Sequence, residues 1–342
     1  MKVIDVHCHV VPSEFPAAPA SCDQWPAMDH RADRQAMVMV GKKEFRLVDS
    51  RCWDVARRIA DINEEDVGTQ ALSPMPELLS YWIDAQHALT LSRSINQAIA
   101  AMVRAAPNRF VGLGMVPLQD PALAARELSR LRAEDGLIGV EIGSNINGKS
   151  PGDPFFDVFF AEAERLDLAI FVHAIHPLVA GRLVGPALLG AYVGYPTDVG
   201  LAAASVITGR VLEKFPKLRI GFSHGGGTLA SFLPRLESGW QKVPALSKAF
   251  ASPAATAQRL YYDNIVFDPR LLRHLIEAFG ITQIFVGSDY PFTAGQKNSA
   301  RMFDQLGLSS DHLAALRGGN AGRFLNIDAT RHEKPTSATS AA

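Results

Sequence analysis

The sequence predicts an α/β chain built as an eight-stranded parallel barrel, (β/α)8, and three observations predict it. Eight short apolar runs recur along the chain. Amphipathic helical stretches separate many of them, and strands alternating with helices pair in parallel and close on themselves at eight units. The runs are also nearly continuous in apolar residues, as expected of strands covered by helices.

In order, the strand candidates are "KVIDVH" (2–7), "GTQALS" (68–73), "FVGLGMV" (110–116), "GLIGVEIG" (136–143), "LAIFVH" (168–173), "LRIGFSH" (218–224), "YYDNIVF" (261–267) and "QIFVGSD" (283–289). Between them, "RCWDVARRIADINEEDV" brings Trp53, Ala56, Ile59, Ala60 and Ile62 near one helical face. "DPALAARELSRLRAED" does the same with Leu123, Leu128 and Leu131, with Pro121 at the helix start. "DPRLLRHLIEAFG" offers Asp268 as cap, Pro269 in the first turn and Gly280 as stop. Two segments break the rhythm. Residues 11–50 read as an insertion over the barrel mouth, with 36–48 as a small hairpin turning at Gly41-Lys42. Residues 174–200, rich in Gly and Pro, read as a long loop after strand five that carries a short helix. The tail 329–342 lacks a core pattern and is expected to be disordered, leaving 1–328 as a single domain.

Composition excludes several classes. The 342 residues are 47% hydrophobic and 20% charged, with a net charge of −1. That suits a large soluble core and argues against nucleic acid as a partner, which would leave a basic excess. Three cysteines without a CxxC pair argue against a disulfide framework and for a reducing, cytoplasmic setting. No signal-peptide pattern opens the chain, and no window is apolar enough to span a membrane.

The chemistry gathers at strand ends. Alternation along a strand puts Asp5, His7 and His9 on one face and Cys8 on the other. If Cys8 faces the helices, both imidazoles enter the barrel mouth, where barrels of this kind keep their active sites. His173, His224 and Asp289 stand at the ends of strands five, six and eight. A lone histidine at a strand end is more often a satisfied polar group than a ligand. Histidines and a carboxylate converging from several strands instead form a site for Zn²⁺, or for Mn²⁺, Fe²⁺ or Co²⁺. Cys8 and Cys52 read as packing residues. The glycines after His224 either bring backbone close to a ligand, open a helix or make a plain turn.

Taken together, "DVHCHV", "FVH", "FSHGGG" and "GSDYPF" resemble the amidohydrolase superfamily, and more narrowly the α-amino-β-carboxymuconate-ε-semialdehyde decarboxylase-like family. The likeness extends through "GKKEFRLV", "CWD", "RFVGLGMVPLQD", "GVEIG" and "FPKLRIGFSHGGG". It implies a distorted (β/α)8 barrel with a small insertion domain after strand 1, one divalent metal ion, zinc first, and no organic cofactor. The family's ligands fall on His7, His9, His173 and Asp289, with a water completing the shell. His224 matches its catalytic histidine, Asp289 shares in catalysis, and Arg46 matches an arginine that grips a substrate carboxylate. Arg235 matches an arginine donated across a homodimer interface, and Phe292 lies in a matched motif beside the substrate. The chain departs from the family at Ala174, Ile175 and His176, where Pro-Trp-Asp is expected, and at Ala191-Tyr192. His176 is therefore a candidate substrate contact or second proton carrier, against the alternative of a solvent-facing loop histidine. The resemblance implies a cofactor-free decarboxylase of a small unsaturated or aromatic carboxylate from aromatic compound degradation. A hydrolase of an amide, lactone or imine on the same ligands is the alternative, and an inactive ligand-binding barrel is a third.

Overall fold

The structure is a computed structural model and describes residues 2–292 and 294–327. The tail expected to be disordered lies outside the described residues. The chain begins with β1 (Val3–Val10), followed by β2 (Pro26–His30), β3 (Gln35–Val40) and β4 (Lys43–Asp49). Then come α1 (Val55–Glu64), β5 (Val67–Pro74), α2 (Ala85–Ala105), β6 (Phe110–Gly114), α3 (Pro121–Arg130), β7 (Gly139–Gly143), α4 (Asp157–Arg165) and β8 (Ala169–His173). After β8 the order is α5 (Tyr195–Thr208), α6 (Val211–Lys214), β9 (Arg219–Phe222), α7 (Leu229–Lys242), α8 (Pro244–Ala249), α9 (Pro253–Ala257) and β10 (Tyr261–Asp263). The chain closes with α10 (Pro269–Phe279), β11 (Ile284–Phe285), α11 (Ser310–Ala314) and α12 (Asn320–Leu325).

The eight expected strands form one parallel sheet in the order β1-β5-β6-β7-β8-β9-β10-β11. Its ends meet, because the Val6 amide donates to the Val286 carbonyl (2.9 Å) and the His9 amide to the Tyr290 carbonyl (2.7 Å). The barrel is therefore closed by the stretch that carries Asp289. Helix starts follow the expected cap chemistry. Asp120 accepts from the Leu123 amide and Asp268 from the Arg270 amide, and Gly280 ends α10 at φ 95°. Buried apolar residues fill the layer between strands and helices, while Ile4, Val6, Phe171, Phe285 and Phe324 form a second cluster. Phe324, on α12, packs on Tyr261 at the start of β10, and its carbonyl accepts from Arg219 at the start of β9, so this cluster seals the end of the barrel where the strands begin.

Three features differ from the expectation. The hairpin turning at Gly41-Lys42 is present, but β2 adds a third antiparallel strand beside β3. The stretch read as loop to residue 200 gives way earlier, at Tyr195, where α5 begins. The third concerns β1. Asp5 pairs with Gln70 while Cys8 pairs with Leu72, so three steps on β1 match two on β5. This bulge shifts the alternation by one residue. Ile4 and Val6 point into the barrel below it, and His7 and His9 point in above it. Asp5 therefore does not share the face of His7. It lies outward, accepting from Gln70 Nε2 (3.1 Å) and Ser288 Oγ (2.6 Å), and Gln70 in turn meets Arg58 of α1. Cys8 faces the outer layer as expected, with its thiol toward the Ala71 carbonyl.

Candidate metal centre and substrate cavity

His7 and His9 on β1, His173 at the end of β8 and Asp289 past β11 bring one ligand atom each to within 4.8 Å of all the others, and all four residues are buried. Asp289 has φ 60°, a left-handed backbone that turns its carboxylate off the strand line into the mouth. Each imidazole is fixed from behind. His7 Nδ1 lies 2.6 Å from Asp263 Oδ2, His9 Nδ1 lies 3.0 Å from the Pro74 carbonyl, and His173 Nδ1 lies 2.7 Å from the Ala174 carbonyl. These partners only accept, so the proton sits on Nδ1 and each Nε2 would be the atom that meets a bound cation.

The four ligand groups crowd around one point. His7 Nε2 and His9 Nε2 are 3.1 Å apart, and Asp289 Oδ1 is 3.0 Å from His9 Nε2 and 3.5 Å from His7 Nε2. His173 Nε2 is buried with no hydrogen-bond partner among the described residues. Burial acts to lower the pKa of His7, yet hydrogen bonds to Asp263 and Asp289 outweigh it and push it up to about 10. The cluster demands positive charge, and the donor set of three imidazoles and one carboxylate fits a single divalent cation.

His224 follows β9 with φ 54°. Its ring centroid is 5.5 Å from that of His7 and 5.1 Å from that of His173, beside the cluster rather than in it. Ser223 Oγ lies 2.9 Å from its Nδ1. Burial, assisted by the neighbouring His7, lowers the His224 pKa to about 4, so the ring is neutral near pH 7. The turn after it needs glycine. A Cβ on Gly227 (φ 59°) would stand 1.9 Å from the Pro196 carbonyl oxygen, which accepts from the Thr228 amide.

A cavity of about 270 Å³ opens over this centre, walled by His173, His224, Asp289, Tyr195, Arg46 and Phe292 among others. Arg46 reaches it from β4. Its Nη2 donates to Glu77 Oε1 (2.8 Å), and its guanidinium carbon lies 4.7 Å from the Phe292 ring centroid. Phe292 itself stacks on His9 with centroids 5.5 Å apart. The structure thus brings His7, His9, His173, Asp289, His224, Arg46 and Phe292 together. It does not bring His176 or Arg235 to them. His176, at φ 40°, turns its ring onto Trp82 (4.7 Å) and lines a neighbouring groove of about 1110 Å³ that shares Glu77 with the cavity. Arg235 is exposed on α7, and no hydrogen bond or ion pair engages it among the described residues.

Three acids escaped the sequence reading. Asp263 supports His7 and also accepts from the His224 and Gly225 amides. Glu141 sits behind His9, its Oε2 3.6 Å from Nδ1, accepts from Ser73 Oγ (2.6 Å), and is pushed up to about 8 by burial. Both stand in otherwise apolar strands, "YYDNIVF" and "GVEIG", and a carboxylate inside such a run is the signal that marks them. Glu77 carries no comparable signal, because it lies in a short turn after β5.

Comparison with known proteins agrees with this architecture. The amidohydrolase family profile matches residues 4–327. The 2-amino-3-carboxymuconate-6-semialdehyde decarboxylase of Dictyostelium discoideum is 34% identical over 96% of this chain and 93% of its own. Among solved structures, 5-carboxyvanillate decarboxylase from Sphingomonas paucimobilis superposes with a TM-score of 0.79 at 24% identity, covering 96% of this chain and 99% of the other. A dihydroxybenzoic acid decarboxylase from Polaromonas, solved with manganese and 2-nitroresorcinol, gives 0.72 at 23% identity over 81% and 87% of the two chains. With the profile spanning nearly the whole barrel, the chain belongs to the amidohydrolase family, within which it is similar to the aminocarboxymuconate-semialdehyde decarboxylases.

Proposed function

We propose that this chain is a metal-dependent, non-oxidative decarboxylase of a small unsaturated or aromatic carboxylate, acting in aromatic compound breakdown. One observation carries the reading: a cluster of three imidazoles and one carboxylate under a small cavity whose wall presents a guanidinium and aromatic rings. The relatives reported above, each a decarboxylase of such an acid by name, support it. His7, His9, His173 and Asp289 would hold one divalent cation, zinc first for this donor set, with manganese, iron or cobalt as alternatives. When bound, the cation supplies Lewis-acid stabilisation of negative charge on the substrate.

The chain's own residues do the rest. Arg46 and Phe292 orient the substrate against the centre. The bond from carbon to its carboxylate breaks, CO₂ leaves, and the electron pair stays on carbon, delocalised into the unsaturated system. His224, neutral and anchored at Nδ1 by Ser223, accepts a proton at Nε2 from solvent water and passes it to that carbon, returning to the neutral ring. Asp289 serves both as ligand and as a carboxylate that lines the cavity with His224.

In the same proposal residues 1–328 work as one domain, with 11–50 covering the mouth, in the cytoplasm and without nucleic acid as a partner. The active unit is a homodimer in which Arg235 enters the partner's cavity. No described helix is long and apolar enough to cross a membrane. The test uses the metal-loaded protein and candidate acids labelled at the carboxylate carbon. Labelled CO₂ release supports the reading, whereas products that keep the label and gain water point to the hydrolase. Mixing Arg235→Ala with His224→Ala restores activity if Arg235 acts across the interface, and no recovery refutes that part.

A further inference from the structure

The charged groups of the cavity wall do not all remain free for a substrate. Asp289 is committed to the ligand cluster, which leaves Arg46 as the one cation among the described residues that line the cavity. Glu77 stands against it, with Arg46 Nη2 2.8 Å from Glu77 Oε1. The Glu77 side chain is only 9% exposed and that of Arg46 is 32% exposed, so the pair is partly withdrawn from solvent screening. The Tyr195 hydroxyl donates to the same oxygen at 3.3 Å. Burial, with Glu77 nearby, raises the Tyr195 pKa, so it remains a phenol and adds no charge. Glu77 Oε2 is buried with no hydrogen-bond partner among the described residues, and Arg46 is the one basic group within ion-pair distance of this carboxylate. Within one chain the pairing is one to one and Glu77 offsets the Arg46 charge, while the charge that Arg235 would bring from the partner subunit is common to every variant compared below.

We infer that Glu77 is a specificity-determining residue: by neutralising Arg46 it disfavours a second carboxylate at that wall and selects an uncharged hydrogen-bonding substituent there. The inference rests on the decarboxylase reading only for the acid group placed at the metal centre. A second carboxylate brought to Arg46 must displace Glu77 or share its guanidinium with a like charge nearby, and both weaken binding. A hydroxyl, amine or carbonyl meets the remaining guanidinium donors, and the neighbouring carboxylate charge does not repel it.

The test compares two probes on the metal-loaded full chain, 3-hydroxybenzoate and benzene-1,3-dicarboxylate, by calorimetric affinity without turnover. Glu77→Gln keeps the shape and frees the Arg46 charge. It is expected to move the affinity ratio toward the dicarboxylate by about tenfold or more relative to the native protein. A shift under twofold overturns the inference. The double variant Arg46→Gln with Glu77→Gln replaces a neutral pair by another and gives an independent check should the single variant fold poorly. Its ratio is expected within threefold of native, and a tenfold loss of dicarboxylate preference shows instead that Arg46 acts as a free cation. Because both readouts are affinities, they stand even if no labelled CO₂ is released from any acid. Conversely, CO₂ release together with an unmoved ratio leaves the functional reading intact and removes this one.

Discussion

Asp263 Oδ2 lies 2.6 Å from His7 Nδ1 and 3.0 Å from the backbone nitrogen of His224, so one buried carboxylate ties a metal ligand to the proposed proton-handling histidine. Its other oxygen accepts from Gly225 and Ile265. Burial alone would raise this acid, but the His7 hydrogen bond and charge hold its pKa below the ordinary carboxylate value. Asp263→Asn keeps the volume and removes the charge that fixes the His7 tautomer. We expect metal affinity to fall by about 10–100-fold, read by competition with a chelating dye. Unchanged affinity contradicts the support role. Turnover should fall even at saturating metal, because His224 hangs from the same oxygen.

His224 and the four ligands should separate experimentally. His224→Ala removes a ring beside the cluster while leaving every ligand atom and its rear support in place. Elemental analysis should still find one divalent ion per chain, and labelled CO₂ release should drop by at least ~100-fold. Loss of metal in this variant makes His224 a ligand and overturns the division of roles.

Removal of the cation should also cost stability, because the cation binds only the folded chain, in which His7, His9, His173 and Asp289 converge. A ligand present at about a thousand times its Kd adds ~4 kcal/mol to the native state. Dialysis against a chelator is therefore expected to lower Tm by several degrees. Adding back zinc, manganese or cobalt should restore both Tm and turnover. A chelated protein with unchanged Tm and activity refutes the metal centre.

Much of this site was legible in the sequence, and what was not legible has specific causes. The histidines ending apolar runs announced themselves, since a run such as "IFVH" has one polar residue and it stands at the strand end. The bulge in β1 is not legible: apolar-polar spacing alone cannot show one extra residue in a strand, so plain alternation puts Asp5 on the face of His7 whereas the bulge turns it outward. Asp263 was hidden because its partners, the His7 ring and two amides after β9, are brought to it only by barrel closure. Glu77 lies in a turn where a charged residue is ordinary, and only the reach of Arg46 from β4 gives it a role. For His176 the sequence leaves a substrate contact and a solvent-facing loop residue both open, and only the folded loop, with the residue exposed and its ring against Trp82, separates it from the cluster.

Arg58 carries a prediction about the scaffold beneath the site. It is fully buried, donates from Nη2 to the His9 carbonyl (2.5 Å) and the Arg51 carbonyl (2.9 Å), and from Nη1 to Gln70 Oε1 (3.2 Å). Its guanidinium also stacks 4.7 Å from the Tyr290 ring centroid. It thus joins α1, β5, the ligand strand β1 and the stretch next to Asp289. Arg58→Met retains most of the volume but strands these acceptors without a donor. We expect a loss of ~3–5 kcal/mol in unfolding free energy, measured from the urea midpoint at saturating metal. A loss below ~1 kcal/mol would mean that water replaces the guanidinium.

The cysteines provide a check on the packing that needs neither metal nor substrate. Cys8 and Cys52 are buried and Cys22 is half-buried, and none is paired. Only the thiolate attacks a disulfide reagent, so reactivity follows both exposure and pKa. Burial pushes Cys52 up to about 11 and Cys8 well above its ordinary value. At pH 8 both are protonated in the folded chain. Raising the pH toward 9 brings neither to its pKa, whereas unfolding returns both to about 8.5 and exposes them. A disulfide reagent at pH 8 should therefore label one thiol in the native protein, at Cys22, and three after denaturation in urea. Peptide mapping identifies the labelled site. Rapid native labelling of Cys8 would place it off the helix-facing side of β1 and undo the assignment of His7 and His9 to the barrel interior, since the alternation above the bulge leaves no other face for those rings.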